Sequence, residues 1–149
     1  MRVAIGADHR GFELKSRLAS FLKKEGHEVI DFGTDSQSPC DYPQIGFDVA
    51  SSVAKGGSDR GVLICMSGIG MSIVANKAPG ARAAICGTKT EAGLSREHND
   101  ANVIIISAQY VKDKPEDILK AWFEAEITED RHKRRVDQIK DIEKRVFKQ

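Results

Sequence analysis

Cysteine is scarce in this chain, with Cys40, Cys65 and Cys86 odd in number and in no CxxC or Cys/His zinc spacing. That scarcity argues against a disulfide framework or a structural metal site and fits free thiols in a reducing compartment. Proline is also rare, at four residues, and the hydrophobic (40%) and charged (30%) fractions are those of an ordinary soluble domain, so disordered, collagen-like and mucin-like classes fall away. Long apolar runs are missing. Stretches such as Val62–Cys65 and Val103–Ile106 fall far short of the roughly 20 residues that cross a bilayer. No charge of one sign dominates: 23 basic against 22 acidic side chains leave a net +1, too little to hold nucleic acid or an anionic membrane. The N-terminus, Met1 to His9, has no signal-peptide h-region and reads as the first strand of a cytoplasmic protein. At 149 residues a single domain, 1–149, is expected.

What the chain does have is alternation. Val3-Ala4-Ile5 is followed by Leu14, Leu18, Phe21 and Leu22 at spacings of three and four, a strand and then an amphipathic helix. The pattern recurs at Val29–Phe32 with Ile45–Ala54, Val62–Cys65 with Met71–Ala75, Ala83–Cys86 with Thr90–Arg96, and Val103–Ile106 with Ile118–Phe123, the last helix opening at Pro115. Strands apolar on both faces predict a five-stranded parallel sheet covered on each side. The expected fold class is α/β, a Rossmann-like three-layer αβα sandwich with right-handed crossovers. Val136, Ile139, Ile142 and Val146 continue the helical spacing and predict a C-terminal helical arm, about 131–147, whose stripe either caps the parent core or docks on a second subunit. Within it Arg131 and Arg135 lie four apart on one face, a spacing suited to clamping a phosphate or simply to a solvated basic turn.

Ligands of such sheets bind beyond the C-terminal ends of the strands. There the sequence offers Asp8 and His9, the loop through Tyr42, and Cys65-Met66-Ser67-Gly68-Ile69-Gly70-Met71-Ser72. The Gly68 and Gly70 turn enters a helix and reads as an anion-binding turn or a plain tight turn. It is no Walker loop, and Ile73 stands where a dinucleotide fingerprint needs its third glycine. Cys65, beside that helix start, is a base or nucleophile with a favoured thiolate, or else a core cysteine. Asp8 is a capping residue or an acid. His98 and Asn99 close the fourth helix, and spacing leaves open whether they reach the same rim.

Gly6-Ala7-Asp8-His9-Arg10-Gly11-Phe12, Asp41-Tyr42-Pro43, Cys65 to Ser72, Ala75-Asn76-Lys77, His98 to Asn102 and Arg131 to Arg135 together closely resemble the ribose-5-phosphate isomerase B family, which includes galactose-6-phosphate isomerase subunits. The resemblance runs nearly end to end. It implies a metal-free, cofactor-free aldose-ketose isomerase of a small-molecule sugar phosphate, ribose 5-phosphate or a close relative, acting through an enediolate. By it, Cys65 is the base that moves a proton between C1 and C2, and Ser67 relays one between the oxygens. Gly68 and Gly70 N–H groups with Asn99 stabilise the enediolate. His98 opens the sugar ring with Asp8 assisting, His9, Arg131 and Arg135 bind the phosphate, and Tyr42 lines the sugar site. A homodimer or homotetramer with shared sites is implied, the arginines coming from the neighbouring subunit.

Three positions depart from that pattern: Gln109 stands where many members carry an arginine, and Met66 and Ser67 where glycine and threonine are usual, the serine preserving the hydroxyl. They leave open another four- to six-carbon sugar phosphate, such as allose 6-phosphate, galactose 6-phosphate or erythrose 4-phosphate. A non-catalytic phosphosugar-binding protein is the alternative from another class.

Overall fold

The computed structural model describes residues 1–147. Its elements alternate as β1 (Arg2–Ala7), α1 (Phe12–Lys24), β2 (Glu28–Asp31), α2 (Tyr42–Ala54), β3 (Arg60–Cys65), α3 (Ile69–Ala75), β4 (Ala83–Ile85), α4 (Lys89–Asn99), β5 (Val103–Ser107), α5 (Pro115–Glu124) and α6 (Asp130–Val146). All five strands are parallel, in the order β2-β1-β3-β5-β4.

Alternating strand residues point to opposite faces and build two cores. On one side Val3, Ile5, Val62, Ile64, Ile104 and Ile106 meet Leu18 and Leu22 of α1, Ala92 of α4, and Ile118, Leu119 and Trp122 of α5. On the other, Ala4, Leu63, Val103 and Ile105 meet Val49, Ala50 and Val53 of α2 and Met71 and Ala75 of α3. This is the expected three-layer Rossmann-like sandwich. Full burial holds for the later residues of β1 and β3 and for all of β5, whereas β2 and β4 are only part-buried because each is an edge with one neighbour. Local chemistry sets the helix starts. Pro115 opens α5 ahead of Glu116 and Asp117, and Thr88 with Glu91 forms a capping box on α4. No helix among the described residues is long and apolar enough to cross a membrane.

Two consequences position the site. The chain leaves β1 for β2 on one side and later returns to β3 on the other, so a crevice opens at the C-terminal ends of β1 and β3. Ala7 pairs with Ile64 and Cys65 with Ser107, which brings Asp8, Cys65 and the turn after Ser107 onto one rim. Helix α4 then carries the chain back to the opposite rim. Arg82, just before β4, donates from Nε to the carbonyls of Asn99 (3.2 Å) and Asp100 (3.0 Å). The strand length from Asn102 to Ser107, about 16 Å at 3.3 Å per residue, separates the two rims.

Candidate active site

Cys65 ends β3 almost fully buried, and its Sγ accepts the N–H of Gly68 at 3.1 Å. Gly68 caps α3 with φ +85°, a conformation that favours glycine, and so folds the turn back over the sulfur. Burial pushes the Cys65 thiol above its ordinary pKa, the N–H groups of Met71, Gly68 and Ser67 oppose that, and the negative charge of Asp8 adds to it. The net direction is upward. Of the two readings the sequence leaves open for this thiol, the direction is that of the core cysteine: desolvation outweighs the backbone donors at the helix start. The Gly68 N–H, expected to face a substrate oxygen, is directed at the sulfur instead.

Neighbouring groups are held from several elements. Asp8 is buried, and its Oδ1 accepts the N–H groups of Arg10 and Gly11, both at 3.0 Å, so one oxygen caps the loop. His9 Nδ1 accepts the N–H of Cys40 at 3.2 Å, which leaves Nε2 as the N–H donor of the neutral ring. Cys40 thus positions a histidine through its backbone, a role the loop composition does not reveal. Ser67 Oγ accepts the N–H of Ile69 at 3.2 Å and keeps its hydroxyl proton to donate. The Tyr42 ring lies against Gly70: a Cβ there would stand 2.5 Å from its Cζ, so this approach requires glycine. Cys86 behaves as a core thiol, its pKa pushed up to about 11 by burial.

Five predicted side chains or turn residues therefore share the Cys65 rim: Asp8, His9, Tyr42, Ser67 and the Gly68–Gly70 turn. His98 and Asn99 do not. They sit at the opposite rim on the end of α4, where Asp100 in a left-handed C-cap takes Arg96 Nη1 at 2.7 Å and Arg82 Nη2 at 2.9 Å. Helix α6 packs there. His132 stacks on His98 with centroids 4.1 Å apart, and its buried Nε2 has no hydrogen-bond partner. Burial and then the charge of His98 hold the His132 pKa down. His132 and Val136 thus seat the start of the arm on its own chain, while Ile139, Ile142 and Val146 stay exposed. Arg131 and Arg135 are exposed on this second rim, with Arg131 Nε on Glu129 at 2.6 Å. His132 is a site-region residue that sequence patterning passes over. Its signal was its place between the two arginines, on the helix turn that meets His98.

An open parallel α/β sheet with a thiol, a hydroxyl, a carboxylate and an imidazole at its topological switch point defines a small-ligand site of the Rossmann-like class. The chain belongs to the Ribose/Galactose Isomerase family, whose model matches residues 3–139. It is 43% identical over 145 residues to ribose-5-phosphate isomerase B of Escherichia coli (strain K12), covering 97% of each chain. The structure of Clostridium thermocellum ribose-5-phosphate isomerase B superposes with a TM-score of 0.94 at 48% identity, over 98% of this chain and 99% of that one. The D-erythrulose-4-phosphate isomerase of Pectobacterium atrosepticum is 36% identical over 129 residues, 85% of this chain and 84% of its own.

Proposed function

We propose that this protein is an aldose-ketose isomerase of a phosphorylated sugar of four to six carbons, ribose 5-phosphate among them, working through an enediolate. The observation that carries the reading is the rim itself, a thiol flanked by a hydroxyl, a carboxylate and a histidine at the end of paired strands. As thiolate, Cys65 removes the proton from C2 of the aldose, and as thiol it returns that proton to C1. Ser67 passes a proton between O1 and O2, and the N–H of Gly70, free of any intrahelical acceptor in the first turn of α3, faces the developing oxyanion.

The remaining groups belong to the other rim, so a second copy of the chain completes the site. Its His98, with Asp8, opens the ring; its Asn99 supports the oxyanion; its Arg131 and Arg135 join His9 on the phosphate. The exposed Ile139, Ile142 and Val146 of α6, together with Ile69 and Ile73 on α3, support a homodimer or a homotetramer of such pairs, with the arm docking across the interface. The three free thiols fit a reducing, cytoplasmic setting.

Nuclear magnetic resonance in deuterated water, with a panel of four- to six-carbon aldose and ketose phosphates, tests the function. Turnover with solvent deuterium entering at the carbon next to the carbonyl is expected. Saturable binding with no turnover and no exchange would replace the enzyme by a phosphosugar-binding protein.

The raised Cys65 pKa adds a pH signature. A base that rests mostly as thiol gains thiolate with pH, so kcat/KM rises about tenfold per pH unit below that pKa. In Asp8→Asn the neighbouring negative charge is gone, the thiolate is less disfavoured, and the profile moves to lower pH. Alkylation of Cys65 by iodoacetamide, followed by peptide mass spectrometry across pH, reads this shift without turnover. A profile unmoved in Asp8→Asn would dismiss the coupling.

A further inference from the structure

Beside the Cys65 rim lies a cationic groove that none of the roles above uses. Arg10 follows His9 directly, is exposed, and reaches across the loop so that Nη1 lies 3.1 Å from Met66 Sδ. With Met66, Ala108 and Gln109 it lines a cavity of about 400 Å³, and on its other side it helps line one of about 450 Å³ with Glu13 and Arg17. Arg17 is committed to Glu116 at 2.7 Å. Arg10, among the described residues, has no carboxylate within ion-pair distance. A thioether is a weak acceptor, so most of the guanidinium fork is left to a ligand.

The floor of this groove is fixed. Buried Ser107 donates from Oγ to the Met66 carbonyl at 2.6 Å and accepts the N–H groups of Gln109 (3.1 Å) and Tyr110 (2.8 Å), while the Gln109 N–H meets the same Met66 carbonyl at 3.2 Å. Cys65 and the groove are thus joined through one residue, Met66. The groove offers a planar cation and a carboxamide and, between Met66 and Gln109, no anionic side chain, which is the chemistry of a phosphate-monoester or similar oxyanion seat.

Resting on the isomerase reading, we infer that Arg10, seated on Met66 and assisted by Gln109, grips the phosphate of the substrate from the same chain that carries Cys65. It is a specificity-determining residue. It selects phosphorylated over free sugars without touching the reacting carbons, so its loss weakens binding rather than proton transfer.

Arg10→Ala, Arg10→Lys and Gln109→Ala decide the matter, read by KM and kcat on the sugar phosphates the wild type turns over and by titration with inorganic phosphate followed calorimetrically. In Arg10→Ala, KM is expected to rise roughly 10- to 100-fold, the loss of a charge-assisted contact, with kcat within about threefold. Phosphate affinity falls in parallel, Arg10→Lys recovers part of both, and Gln109→Ala loses a smaller part. Unchanged KM and unchanged phosphate affinity in Arg10→Ala would overturn the assignment, as would a fall in kcat alone. The phosphate titration stands by itself: if the wild type isomerises nothing, the enzyme reading fails, yet Arg10-dependent phosphate binding still upholds the seat and its absence still removes it.

Discussion

Cys65→Ala loses about three orders of magnitude in isomerisation, within the contribution expected of a positioned general base, and loses solvent exchange at the reacting carbon with it. Two features make the loss specific. The sulfur is the one ionisable atom ending β3 at the switch point, and the backbone already wraps it, with the Gly68 N–H aimed at it from 3.1 Å. Truncation to alanine removes one small side chain from the cluster of Leu63, Met71 and Ile105, so the fold is retained at a cost of about 1–3 kcal/mol, chiefly for the N–H groups left without the sulfur. Thermal unfolding followed by circular dichroism checks that. Cys65→Ser is the sharper variant, since it keeps size and a hydroxyl but no readily formed anion, and it is expected to be as inactive as alanine. Persistent exchange in both would move the base to another group, Asp8 being the carboxylate at hand.

Two inactive variants restore one another. Cys65→Ala is expected to disable one rim and His98→Ala the other, and these rims lie on opposite ends of one sheet. If each site takes Cys65 from one chain and His98 from its neighbour, a mixed dimer holds one site with both defects and one with neither. Random mixing then recovers about a quarter of wild-type turnover, because half the dimers are mixed and half their sites are whole. Co-refolding the two variants in equal amounts and assaying against each alone measures this. Recovery indistinguishable from the sum of the separate variants would mean that the site is completed within one chain.

These outcomes also show how far residue patterns reach. The sheet was legible because Val3–Ile5, Val62–Cys65 and Val103–Ile106 are apolar in unbroken runs, which only strands covered on both faces tolerate. Cys65, Asp8 and His9 were legible as a group because topology forces strand ends together. The placement of His98 and Asn99 was not: a helix that closes a crossover can end at the far rim, and only its packing against Arg82 and His132 decides this. Arg10 escaped for a related reason. Its meaning lies in a contact with Met66, 56 positions away, that no local spacing encodes. The thiol's resting state was legible in neither direction, since a helix start and a buried strand end push it oppositely and their balance is three-dimensional.

That balance bears on how the protein ages. Peroxide attacks thiolates, and exposed cysteines of low pKa are the ones that advance to sulfenic and then to irreversible sulfinic acid. A buried Cys65 held as thiol, with ionisation disfavoured by burial and by Asp8, presents little of the oxidisable form between turnovers. On the proposed reading of Cys65 as the base, the same desolvation that disfavours its ionisation also limits its exposure to oxidants.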